Sequence, residues 1–398
     1  MNGRNSIRKV PQTGGVTQGA RLLAVQIILF AAVVCLVGQP ALAKHKGHKK
    51  GPKNCTMMSN YAFAARQNEI RDDYFIAVGK CYNLPPEEDI KDCIKDAREE
   101  QKDAKEEARD QREARLDLCE QIGEGDYNPL LDPDPDNFFE PASINAENAN
   151  PYWPLVPGYK WTYKSRDENG EDPEEVLETN TVEVLAGKTV TIEGIPCVVV
   201  HDRVYEGDID KIDPADLDAA LKEDTYDWYA QQSVAAPAYP GGPVYGIGTV
   251  WYMGEFSLAK EECDEETGEL CEGLWADDGS WQAGFDGGRP GVIMFGDPAA
   301  VEDDTVYRQE LYLGEAEDAA QKIHISNDSD DPVSVPYGDF TTDVLENFEF
   351  SVLEPGVGEN KYYAPGVGLL LEQAKEDGEP TGEVNELVST GALSPALP

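Results

Sequence analysis

Four cysteines, Cys55, Cys81, Cys93 and Cys119, stand 26, 12 and 26 residues apart. In an antiparallel pair of helices, residues that face each other across the seam lie equally far from the turn. The symmetric spacing therefore predicts Cys55–Cys119 and Cys81–Cys93 among the three pairings open to four cysteines. The intervening residues agree. Met58, Tyr61, Ala65, Tyr74 and Val78 recur at helical steps, and residues 93–119 are rich in helix formers and i,i+4 charge pairs. Asn83-Leu84-Pro85-Pro86 supplies the turn. The seam of Ala97, Gln101, Ala104 and Ala108 is too small to hold two helices alone, which gives the staples a physical purpose. Such long spacings argue against a zinc site.

Disulfides imply export, and the N-terminus points the same way. Residues 1–43 hold Arg4, Arg8, Lys9 and Arg21, no acidic residue, an apolar run over Leu22–Gly38 and the small-residue pattern Ala41-Leu42-Ala43. This reads as a signal peptide, with localisation in the periplasm or extracellular space. The five lysines within Lys44–Lys53 leave an uncleaved N-terminal membrane anchor as the alternative. Cys35 follows Val34 rather than a small residue, so no lipid anchor is expected.

The 33 Lys+Arg against 77 Asp+Glu give a net charge of −44 over 398 residues. That excludes nucleic acid as a partner, because phosphate contacts need clustered basic residues. It leaves weakly bound cations as a partner class.

Residues 123–157 read as a Pro/Asp-rich linker that lies over the next domain. Its Asp132-Pro133-Asp134-Pro135-Asp136 lacks the glycine turn of a helix-loop-helix calcium site. Beyond Pro157 the text changes to short β-type runs bounded by Gly, Pro and Asp. Strands are expected at Lys160–Lys164, Thr181–Leu185, Val190–Val204, Thr225–Ala230, Thr249–Met253 and Val292–Phe295. Further ones are expected at Thr305–Leu313, Lys322–Ser326, Leu345–Leu353, Tyr362–Leu371 and Glu383–Ser389. Two short helices are expected at Asp213–Lys222 and Glu315–Lys322. Cys263 and Cys271 flank a Glu-Thr-Gly-Glu tip and predict a third disulfide, leaving Cys197 as a buried thiol.

The predicted fold class is α+β, a disulfide-stapled antiparallel helical hairpin followed by a mainly antiparallel β domain (curved sheet, sandwich or barrel). The order is a signal peptide at 1–43, a basic tail at 44–54, the hairpin at 55–122, the linker at 123–157, the β domain at 158–391 and a tail at 392–398.

Several stretches carry a resemblance: Asn150-Pro151-Tyr152-Trp153-Pro154-Leu155, Asp224-Thr225-Tyr226-Asp227-Trp228-Tyr229-Ala230, Val250-Trp251-Tyr252-Met253-Gly254-Glu255 and Tyr307-Arg308-Gln309-Glu310. Val335-Pro336-Tyr337-Gly338 and Tyr362-Tyr363-Ala364-Pro365-Gly366-Val367-Gly368 complete the set. Together they make residues 150–390 resemble a family of exported bacterial proteins without assigned function. The resemblance implies an all-β exported domain with a curved sheet like those of lipoprotein carriers, and it supplies no catalytic residues. The helical hairpin lies outside it, and the Pro/Gly-rich stretch between Gln231 and Gly248 departs from it.

Catalytic motifs are not apparent. His201 and His324 sit in strand-like text without a Gly-x-Ser-x-Gly elbow, and zinc, phosphate-loop and dinucleotide fingerprints are missing. No cofactor is expected. Cleavage after Ala43 would place the Lys44 amine beside His45 and His48, a copper- or nickel-type nitrogen set. The adjacent pairs Trp228/Tyr229 and Trp251/Tyr252 each send one ring to either face of a strand, and inward rings are candidates to line an apolar pocket. Arg203 and Arg308 are candidates to orient an anionic group. The expected function is an exported non-enzymatic binding or structural protein of the bacterial envelope or extracellular space. Its alternatives are a carrier of a lipid or other hydrophobic small molecule in the β domain, and an extracellular carboxylate-dependent hydrolase. A protein partner is expected through the hairpin.

Overall fold

The computed structural model describes residues 53–85, 89–125, 127, 135–237, 244–264, 269–328 and 332–391. The predicted signal peptide and the Lys44/His45/His48 set lie outside the described residues; Cys263 and Cys271 fall in described strands, but their side chains, and so the predicted third disulfide, lie outside what is described.

Helices α1 (Asn54–Cys81) and α2 (Ile90–Ile122) form the expected hairpin. Cys55–Cys119 staples its open end and Cys81–Cys93 its turn. The Asp89 side chain caps α2 by accepting from the Lys91 amide at 2.8 Å, and Gly123 ends it at φ 99°. Glu124 then reaches back to α1, accepting from the Thr56 amide at 3.0 Å and from the Thr56 hydroxyl. A carboxylate there satisfies orphan donors and complements the positive end of the helix dipole. Across the seam, Arg112 Nε and Nη2 both donate to Asn60 Oδ1 at 3.0 and 2.9 Å.

The β body begins with β1 (Lys160–Asp167), β2 (Glu178–Ile192), β3 (Ile195–Glu206) and β4 (Leu221–Gln231), paired in that order. The short β5 (Ala236–Pro237) and β6 (Val244–Tyr245) pair with each other. The long β7 (Val250–Asp264) pairs with β4 along one edge. Its other edge is shared by β8 (Glu269–Asp277), β9 (Trp281–Gln282) and β10 (Arg289–Met294). Next come β11 (Val306–Arg308), β12 (Glu310–Leu311), β13 (Asp318–Ser326) and a small hairpin of β14 (Val333–Val335) and β15 (Gly338–Phe340). A meander of β16 (Val344–Ser351), β17 (Val357–Ala364), β18 (Gly368–Glu376) and β19 (Glu379–Gly391) returns the chain to β1.

The hydrogen-bonded path runs from β11 through β13, the meander, β1 to β4, β7 and β10 to β12. Only Gln309 separates β11 from β12. Both ends of the path therefore belong to one piece of chain, and the antiparallel sheet is a nearly closed barrel. Closure depends on Gly291 in β10. A Cβ there would lie 2.3 Å from the Gln309 carbonyl carbon, so any larger residue would push β10 off the closing segment.

Core residues come from both the strands and the chain before them. Phe138, Ile144, Tyr152, Leu155 and Val156, all read as linker from composition, are buried with Tyr163, Tyr229, Trp251 and Tyr363. Asn150 secures this stretch, donating to the Gly248 and Phe295 carbonyls at 2.9 Å each. Leu118 of α2 packs outside the barrel, against Ala319 and Val352.

Several sequence expectations need correction, the first being the single strand over Val190–Val204, which is the facing ends of β2 and β3 joined by a turn at Glu193 (φ 51°) and Gly194 (φ 83°). Residues 315–322 are not a helix: β13 starts at Asp318, and Ala319 and Ala320 are both fully buried. Small size rather than helix propensity explains these alanines, because Ala319 admits Leu118 on the outside while Ala320 joins the inner core. The helix expected over Asp213–Lys222 shrinks to a turn at Leu217–Ala220, since pairing with β3 makes Leu221 the start of β4. The single strand expected over Tyr362–Leu371 is the facing ends of two strands, joined by a turn whose Gly366 takes φ 76°.

Candidate functional site

The hairpin is fixed to the barrel by a buried ion pair. Arg115 of α2 and Glu317 have side chains 4% and 0% exposed. Arg115 Nε lies 3.1 and 3.0 Å from the two carboxylate oxygens, and Nη2 lies 2.7 Å from Oε1. Oε1 also accepts from the Gly314 amide at 2.8 Å. Gln111 adds a bond from its side-chain amide to the Leu353 carbonyl at 2.9 Å. These contacts set α2 across the outer wall, where the closing segment Val306–Leu311 lies.

A cleft of about 1050 Å³ opens between the end of the hairpin and that wall. Met58, Ile122 and Tyr127 line it from the hairpin side, and Phe295, Tyr307 and Arg308 from the barrel. The rings continue inward as a ladder. Tyr245 stacks on Phe295 at 6.0 Å, and Phe295 meets Tyr307 edge-on at 4.6 Å. Asn347 Nδ2 donates to the Tyr307 hydroxyl at 3.1 Å.

Arg308 is the unusual member. Its residue is 3% exposed, and its guanidinium carbon lies 5.6 Å from the centroid of the Tyr127 ring. Among the described residues, Nε, Nη1 and Nη2 have no hydrogen-bond partner. Burial pulls its pKa below the usual arginine value, nearby Glu317 opposes that shift, and Arg115 adds to it. Glu317 is already held by Arg115, so it offers Arg308 only a distant charge.

Inside the barrel, the other rings singled out in the sequence are packed against protein. Tyr229 stacks on Tyr252 at 5.0 Å and meets Trp153 at 5.8 Å. Trp251 donates to Gln232 Oε1 at 3.0 Å and packs on Tyr245. Trp228 is partly buried beside the same core. Arg203 sits over the Tyr205 ring, away from Arg308 on a different strand. The structure thus brings Tyr229 and Tyr252 together, connects Trp251 to the ladder through Tyr245, and leaves Arg203 apart.

A polar layer lines the inner face of the sheet, with side chains 12–38% exposed. Lys361 of β17 lies 3.2, 3.5 and 3.0 Å from carboxylates of Glu349, Glu359 and Glu372. Burial alone would lower its pKa, yet the three carboxylates hold it well above the usual lysine value. Tyr363 donates to Glu349 at 2.8 Å, and Tyr252 donates to Asp227 at 2.7 Å. Burial, then Asp227, Glu223 and Glu372, push the Asp202 carboxyl well above the carboxylate range. His201 bonds Asp224 at 2.5 Å and His324 approaches Glu346 at 3.4 Å, so both histidines are engaged by carboxylates. No group of three side chains suited to a metal ion occurs among the described residues. Cys197 is free and buried, and burial pushes its thiol up to about 12.

Arginine is scarce in the acidic β domain, so Arg308 stands out in the sequence. Arg115, Glu317 and Tyr127 do not, because nothing local distinguishes one charge in a highly charged helix. Their signal exists only in the tertiary fold.

No family model matches the chain, and no curated protein does. Two solved structures are similar over 61% of this chain and 99% of theirs, each at 11% identity. One, from Bacteroides fragilis, is described as an exported protein with a YmcC-like fold, with a TM-score of 0.32. The other, from Parabacteroides distasonis, is described as a lipoprotein, with a TM-score of 0.26. No helix among the described residues is long and apolar enough to cross a membrane.

Proposed function

We propose that this chain is an exported, non-enzymatic binding protein whose ligand occupies the cleft between the helical hairpin and the barrel wall. The observation that carries the reading is the placement of that cleft. Its volume lies at the upper end of small-molecule sites, roughly 300–1,000 Å³, and aromatic rings meet there at a junction between two bodies. The barrel interior is a poorer candidate, since its rings and its charged layer contact one another.

Native mass spectrometry of the exported protein from its own host tests this, beside Ala300→Trp. Ala300 is exposed at the cleft, so a larger side chain there fills the cleft without entering the core. A mass excess that disappears on denaturation and is lost in the variant supports the reading. An excess retained in the variant, or none in either, removes it.

Exposed apolar residues on α1 favour a second reading, in which the hairpin docks a protein partner. Tyr61, Phe75 and Ile76 of α1 and Tyr82 at its C-terminal end are 67%, 56%, 56% and 70% exposed. Cross-linking from Tyr61 and Phe75 positions in the native envelope would support it, and its absence from both would oppose it.

A further inference from the structure

We infer that the cleft takes an amphiphile with a single carboxylate head, and that Arg308 is the residue that binds the head. The inference rests on the cleft being the binding site and goes further by naming the ligand class. A guanidinium removed from water without an acceptor is costly, and it persists where something else completes it. Arg308 is 3% exposed, lines the cleft, and has three nitrogens without a partner among the described residues. The guanidinium carbon stands 5.6 Å over the Tyr127 ring, a contact that leaves all three nitrogens without an acceptor among the described residues. A planar carboxylate fits the guanidinium edge as a two-bond fork.

The head is a monoanion because Arg308 acts without a second buried cation at its side. Arg115 is consumed by Glu317, and Arg289 on the cleft rim is exposed. A dianionic phosphate ester would meet one guanidinium within a strongly acidic chain, a poor match. The rest of the lining prescribes the rest of the ligand. Met58, Ile122, Phe295 and Leu311 offer apolar surface for an alkyl or aryl body.

The test uses delipidated mature protein and three probes of one chain length: dodecanoate, dodecanol and dodecyl phosphate, each below its micelle concentration. Competition against a fluorescent undecanoate derivative reads the affinities. Dodecanoate is expected to bind at least tenfold tighter than dodecanol. Arg308→Met should abolish that preference while leaving dodecanol binding unchanged, and Arg308→Lys should retain part of it. The unliganded Arg308→Met variant should melt no lower than the parent, because it loses a buried charge that no described residue completes. Equal binding of dodecanoate and dodecanol overturns this inference and leaves the cleft reading standing. Preference for dodecyl phosphate overturns the head-group class. Binding of none of the three overturns the inference, while the host-derived mass excess decides separately on the cleft. A sharp fall in melting temperature for Arg308→Met would mark Arg308 as structural and overturn its assignment.

Discussion

Arg115 and Glu317, 202 residues apart in sequence, meet as a two-pronged ion pair sealed between α2 and the outer wall of the barrel. A buried pair is most expensive when half of it is removed, because the survivor keeps its desolvation penalty. Arg115→Met should therefore destabilise the folded protein by about 3–5 kcal/mol. Arg115→Met combined with Glu317→Leu should recover most of that loss. Urea unfolding monitored by helical circular dichroism checks both.

The two staples close loops of very different length, 64 and 12 residues. In the chain-entropy account the longer loop matters more, by about 4 against about 3 kcal/mol. Replacing Cys55 and Cys119 by serine should lower the hairpin melting point further than replacing Cys81 and Cys93. Opposite ordering in thermal scans would show that strain or residual denatured structure dominates.

Asp202 sets a pH dependence with a definite sign. Its folded pKa lies well above 3.8, so the folded protein holds that proton more tightly than the unfolded chain does. Its contribution is complete below the unfolded value and declines as pH rises above about 4 toward the folded value. Asp202→Asn should remove part of this decline, making stability less pH-dependent above that point. Parallel urea titrations at a series of pH values measure the difference.

Gly291→Ala tests the closure. The added methyl would meet the Gln309 and Arg308 backbone, and overpacking of this kind costs about 1–3 kcal/mol. Amide exchange should quicken first over Val306–Leu311 and β10, before the β1–β4 wall changes.

The hairpin was legible because cysteine spacing and helical period are both local to residues 54–122. Most strands were legible for the same reason, through Val-, Ile- and aromatic-rich runs bounded by turns. Long-range choices were not. Ala319 and Ala320 look like helix; Ala320 is buried in the barrel core, and Ala319 on the outer face is covered by Leu118, some 200 residues earlier in the chain. Phe138 to Val156 looks like linker because its apolar residues have no period, yet tertiary packing uses each one singly. Lys361 and its glutamates alternate as a solvated strand face would, and only barrel closure turns that face inward. Arg308 could be suspected from composition, whereas its lack of an acceptor is a property of the assembled cleft.

A sheet whose two ends are the same stretch of chain leaves little unpaired backbone for a foreign strand to join. Apart from β8 and β9, the open margins of the described path are the short end strands Val306–Arg308 and Glu310–Leu311. Strand-by-strand aggregation, the usual hazard of β proteins outside the cell's chaperones, is suppressed by architecture rather than by surface charge alone. The same feature leaves only short strand edges for a partner that binds by adding a strand. Binding at the crevice beneath the helices, as proposed above, needs no free strand edge.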